Sequence, residues 1–193
     1  MNLRRQIAYI AARMMAEDGV ADYGTAKMKA ARQAGLVDAN LLPDNQEIEE
    51  ALREYQGLYQ NEEQPAHLRM LREVAVKVMR EFCDFRPALV GSVLSGTAGM
   101  HSDVNLQLFT DDAKALTMFL VNRRYRFEEG SRRVRRGERL EEVPQIFLDV
   151  DDVTVTLTVL DREDERTAAR PKAEARDAPT RARLAEVEAL LAR

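Results

Sequence analysis

The chain has 193 residues, 45% of them hydrophobic and 32% charged, with a formal net charge of -4. This is the profile of a soluble globular protein of one ordinary domain, or of a small domain with a helical extension. It excludes a chain that is a nucleic-acid binder through overall charge.

A single cysteine, Cys83, excludes an intramolecular disulfide, and two histidines supply little material for zinc. A reducing cytoplasm is the expected compartment. Cys83 reads as a small buried hydrophobe and His67 as a helix-surface residue. The N-terminal apolar run is interrupted by Arg13, Glu17 and Asp18, so it reads as a helix rather than a signal sequence. No stretch has the apolar length of a membrane span.

In chain order, residues 1–85 read as a helical region. Ile7, Ile10, Ala11, Met14 and Met15 recur at helical spacing in a first helix that stops near Gly19. A second helix covers 22–34, with Asp22 as its cap and Gly35 as its stop. A third follows Asp44 or Asn45, either of which can cap it, with Ile48, Leu52, Tyr55 and Tyr59 on its apolar side. A fourth follows Pro65, with a stripe of Leu68, Leu71, Val78 and Phe82.

The pattern then changes. Residues 86–160 read as an α/β core. PALVGS is a short strand ending in Gly91-Ser92. In DVNLQLFT the apolar Val104, Leu106 and Leu108 alternate with Asp103, Asn105 and Gln107. A helix follows, with Asp111 or Asp112 at its start. Strands are expected at 145–150 and 153–160, turning at Asp151-Asp152, with a separate hairpin in the basic stretch before them. Residues 161–178 read as a mostly extended connection, and a last amphipathic helix carries Leu184, Val187, Leu190 and Leu191. Helices gathered ahead of strands predict an α+β fold with a mixed sheet covered by helices on one side.

Gly91 can adopt angles closed to other residues, and a turn of exposed N–H groups with the Ser92 hydroxyl suits phosphate oxygens. Asp103 and Asn105 share one strand face, where two oxygen ligands suit a hard cation such as Mg²⁺. The plainer readings are an ordinary strand-to-helix turn and a solvated strand face. His101 reads as a loop residue.

The run GSVLSGTAGMHSDVNLQLF resembles the nucleotidyltransferase superfamily of the DNA polymerase β type. Gly91-Ser92, Gly96, Ser102-Asp103, Asn105 and Leu106 stand in that motif's order and spacing. With AEDGVADYGTAKMKAARQAG, the chain resembles a group of small bacterial members in which the same helical front end precedes the motif. The resemblance implies a mixed sheet with helices behind it, and transfer of a nucleotidyl group from a nucleoside triphosphate with Mg²⁺. It implies that Gly91, Ser92 and Ser102 contact nucleotide and that Asp103 binds metal. Asn105 stands where the second carboxylate is expected, and Thr156 where the third is expected. The acceptor it implies is a protein, a small molecule or RNA. Asp149, Asp151 and Asp152 read as too remote, at a strand end, to substitute. A non-catalytic nucleotide-binding or interaction protein is the second reading. A ligase of the cell-wall muropeptide type fits poorly, because the chain has no G-x-x-x-x-G-K-[ST] loop.

Residues 121–139 hold eight arginines and three glutamates, Glu128, Glu129 and Glu138. The local excess is five positive charges in an acidic chain. A solvated hairpin is the common explanation of such a run, and a grip on triphosphate or nucleic-acid backbone is the alternative.

Overall fold

The computed structural model describes residues 2–20, 22–35, 41–60, 63–136, 139–167 and 181–192. The fold is α+β: among these residues are eight helices and a five-stranded mixed open sheet. The chain forms two compact units. The first comprises 1–68 and 96–102, the second 69–95 and 103–193.

The first unit is built on three helices, α1 (Leu3–Glu17), α2 (Tyr23–Gln33) and α3 (Asn45–Tyr59). Small residues let them approach closely: Ile7, Ala8, Ala11, Ala26, Ala30 and Ile48 share one core. Their ends follow local chemistry. Asp22 accepts the Thr25 N–H, and Asp44 forms a reciprocal capping box with Glu47. Glu47 also accepts from the Arg4 guanidinium at 2.7 and 2.9 Å, which holds its carboxyl below the usual range. Gly19 and Gly35 are left-handed, as stops require. Tyr59 departs from the expected apolar stripe and is exposed, although its ring lies 4.7 Å from that of Tyr55.

Helix α4 (Glu63–Glu81) begins before Pro65 rather than after it. Proline is tolerated there because the N–H groups of a first turn have no intrahelical acceptor. From Leu71 to Met79 its buried stripe belongs to the second unit, where Phe82 packs edge-on to Phe119 at 5.0 Å. No described helix is long and apolar enough to cross a membrane.

The sheet runs β1 (Ala88–Val90), β2 (Val104–Phe109), β5 (Val153–Leu160), β4 (Arg139–Val150), β3 (Phe127–Arg136) in spatial order. Only β2 and β5 pair in parallel. Helix α5 (Ser92–Ser95) follows β1, and α6 (Ala113–Asn122) follows β2 with Asp112 as its cap. The β4–β5 turn has Asp151 and Asp152 both at positive φ, as a two-residue turn of the I′ type demands. On one sheet face Val104, Leu106, Leu108, Val155 and Leu157 are buried.

Further expectations are corrected or refined. Cys83, expected as a small buried hydrophobe, is exposed. The hairpin expected in the basic stretch is β3–β4, but its second strand begins at Arg139 and runs on through the strand expected from 145, making β3–β4–β5 one meander. Residues 162–167 form helix α7 instead of extended chain, and 168–180 lie outside the described residues. The last helix, α8 (Leu184–Leu191), starts after an antiparallel bridge between Ala182 and Leu89.

The capping box predicts that Asp44→Ala lowers stability by about 1 kcal/mol. Urea unfolding should show a lower midpoint at unchanged slope.

Candidate functional site

Gly91 ends β1 at φ +75°, a left-handed conformation that side chains disfavour. Its carbonyl accepts the N–H groups of Leu94 and Ser95, both at 3.0 Å, which folds Ser92–Ser95 into a single turn. The Arg72 guanidinium, on α4, donates to the Val93 carbonyl at 3.2 Å, and desolvation lowers its pKa. A cation therefore stands at the turn. The sequence motif gave no sign of it, because Arg72 is 21 residues upstream of its partner on a helix.

Asn105 adjoins this turn. A Cβ on Gly91 would lie 3.8 Å from the Asn105 Cβ and Nδ2. The sheet register runs Val90, Asn105, Thr156, Phe147, Glu128 across all five strands. At about 4.8 Å between strands, side chains at 105 and 156 can share one small ligand. Asp103 precedes β2 by one residue. Its side chain is exposed, and its backbone oxygen accepts the Asn105 Nδ2 at 3.3 Å. Partial desolvation raises its carboxyl above the ordinary aspartate range.

The structure thus brings Gly91 and Asn105 together and sets Thr156 beside Asn105. Ser102 belongs to the first unit, where its hydroxyl accepts the Gly99 N–H at 3.0 Å. The same segment is fixed by Gln56 on the Thr97 carbonyl and Gln64 on the Gly96 and Ala98 carbonyls. His101 lies in a turn of that unit, with its ring against Gly19.

The three later aspartates have other occupations. Asp149 is the cross-strand partner of Thr154 and accepts its hydroxyl at 3.3 Å. Asp151 pairs with Lys77 at 2.7 Å. Asp152 occupies the turn itself. Among the described residues no group of three His, Cys, Asp or Glu side chains could hold a metal.

The polar face is wider than the motif. Gln107, Thr158 and Gln145 form the adjacent register row, with Gln145 Nε2 donating to Thr158 Oγ1 at 3.1 Å. The Gln107 Oε1 is buried without a hydrogen-bond partner. The alternation Gln145, Phe147, Asp149 in β4 carries this signal in the sequence, but a strand so short of polar residues reads first as core.

No family model, no curated protein and no solved structure matches the chain.

Asp103 contributes a stability term of known sign. A carboxyl whose folded pKa is raised makes the ionised fold less stable, so the cost is full above the folded pKa and vanishes below the unfolded one. Asp103→Asn should therefore raise the melting temperature at pH 7. The gain should shrink as pH falls toward about 3.9, the ordinary aspartate value.

Proposed function

We propose that the protein binds a magnesium–nucleoside triphosphate at the Gly91-Ser92 turn and the adjoining Asp103 and Asn105. In this reading it is nucleotidyltransferase-like, with transfer slow or lost. The observation that carries the reading is the juxtaposition of a left-handed glycine turn with a polar row, Asn105 beside Thr156, in which neighbouring side chains can reach one small ligand.

The donor set fits one hard cation, held weakly. Asp103 supplies a charged oxygen and Asn105 a neutral one, while Mg²⁺ takes its remaining ligands from water and phosphate. When bound, the cation would offset triphosphate charge. The chain's own part is to hold phosphate oxygens on the turn, with Ser92 and the Arg72 guanidinium nearby, and to orient the α-phosphate. Transfer would form a bond from an acceptor oxygen to that phosphorus and break the bond to the pyrophosphate oxygen, with the acceptor proton passing to a base. Two-metal catalysis needs more negative charge than one carboxylate supplies.

Thr156 favours the second reading, a nucleotide-binding or interaction protein without turnover. It is 6% exposed and neutral at the position where the resemblance implies a carboxylate.

Calorimetric titration of ATP and GTP tests the binding. Heat of binding that requires Mg²⁺ and is lost in Asp103→Ala is the expected result; no binding to folded wild type would overturn the reading. Pyrophosphate release, measured on the same protein with candidate acceptors, separates slow transfer from none.

Restoring charge gives a second test. Asn105→Asp combined with Thr156→Asp should lower the melting temperature without metal, since two carboxylates would stand about 4.8 Å apart on neighbouring strands. Millimolar Mg²⁺ should recover it, while wild type should shift little. A metal-independent loss would mean that the two positions do not face a common cation site.

A further inference from the structure

The arginine-rich region has a defined shape. Strand β4 pairs with β5 only over Gln145–Val150. Beyond Gln145 it pairs with β3 alone, from Ser131 opposite Pro144 to Arg136 opposite Arg139. This is a two-stranded ribbon continuing past the sheet. Its base is fixed, because Val143 is buried with Ala88, Phe109 and Leu160. Arg132 is the cross-strand partner of Val143, and Arg133 follows it.

Arg132 and Arg133 are exposed, as are Arg123, Arg124 and Arg126 where the chain enters β3. Arg123 stacks on Phe119 at 5.5 Å. Among the described residues, none of the five forms an ion pair, although every one is within a few positions of an acid. On β4, Glu142 is the cross-strand partner of Arg133 and accepts the Ser131 hydroxyl. Elsewhere the protein pairs its arginines readily, as at Arg4, Arg53, Arg69, Arg80, Arg86 and Arg183.

We infer that the β3–β4 ribbon and the arginines at its entry form a docking surface for duplex DNA. A two-stranded ribbon is one of the two elements that the B-form major groove admits, whereas the A-form RNA groove is too narrow. Arginine is the side chain matched to phosphate oxygens, which it can bind in bidentate fashion. Arg126 and Arg132 are separated by about 20 Å at roughly 3.4 Å per residue, so the entry cluster reaches phosphates flanking a groove about 12 Å wide. Glu128 and Glu129, exposed between the two clusters, divide the footprint in two. Single-strand binding would need exposed aromatic platforms. Tyr125 and Phe127 are half-buried, and the Tyr125 hydroxyl donates to Glu81. The inference does not rest on the nucleotide reading.

Fluorescence anisotropy with a labelled duplex of about 20 base pairs, from about 50 to 300 mM KCl, tests it. Wild type should bind with a log–log salt slope of about -4 to -5, from five phosphate contacts. The double variant Arg132→Gln, Arg133→Gln should bind at least about tenfold more weakly at 100 mM salt, with the slope reduced by about 2. The pair of lysine replacements at these positions should keep most of the affinity. Arg13→Gln with Lys29→Gln, removing the same charge from the helical unit, should leave binding unchanged. Absence of binding at the lowest salt would overturn the inference. So would equal weakening by the helical-unit control, or tighter binding of a single strand of equal length or of vesicles rich in phosphatidylserine.

Discussion

The parallel pairing of β2 with β5 is the constraint on which the second unit depends. It is the one parallel contact in the sheet, and it joins Val104–Phe109 to Val155–Leu160 without a break. A parallel pair cannot be closed by a tight turn, so the chain must cross over between its two strands. The crossover contains α6, β3 and β4. Because β4 must then return into β5 by the shortest route, Asp151 and Asp152 are both forced to positive φ. The same pairing decides which side chains meet. Side chains alternate along a strand, so a slip of one residue would bury Asn105 and expose Leu106. Burial of Val104, Leu106, Leu108, Val155 and Leu157 on the other face resists that slip. The placement of Asn105 beside Thr156 is therefore a consequence of core packing.

This origin separates the geometry of the candidate site from its chemistry. The packing would hold positions 105 and 156 together whatever residues stood there. The turn at Gly91 depends on backbone conformation and on hydrogen bonds to its carbonyl. The segment that joins the two halves of the motif, Gly96–Ser102, belongs to the helical unit, where glutamine side chains satisfy three of its carbonyls. Asp103 follows that segment in sequence and belongs to the second unit. Its raised pKa means that a proton or a cation at that carboxyl is favoured, a sign opposite to that of a carboxylate already satisfied by an arginine, such as Glu47.

Much of the fold was legible because local chemistry agreed with it. Asp22, Asp44 and Asp112 cap the helices that follow them, and Gly19 and Gly35 end the helices before them. Alternation in VNLQLF gave both the strand and its buried face. The failures have physical causes. The strand expected at 145–150 starts earlier, at Arg139, and runs through Pro144, which has no ladder N–H to donate. Pro144 lies one residue past Gln145, the last β4 residue paired with β5, so no second neighbour needs that N–H. The segment REDERT has no apolar period, yet it is helical with acids in its first turn, and Glu165 is held by Arg86 and Arg183. Both outcomes depend on partners distant in sequence. The candidate site was read from a motif whose alternation also set Gln107 on its face, but Arg72 and Gln145 were not legible, for the same reason.

The neutral side chains at 105 and 156 also bear on what the sheet requires. A carboxylate at position 156 would be nearly enclosed and one strand away from another at 105. Such a pair is costly unless a cation sits between them, because like charges in a desolvated site raise each other's pKa. An active arrangement of that kind couples folding to metal occupancy. Asn105 and Thr156 remove the repulsion while keeping polar side chains on the face, and Thr158 and Gln145 continue it with a hydrogen bond of their own. Neutral side chains at 105 and 156 need no cation between them. Asp103 carries a charge partly removed from water, and it stands at the exposed end of the row, where solvent limits that cost. Charge is thus kept at the solvent-facing end of the row, and neutrality where the sheet must pack.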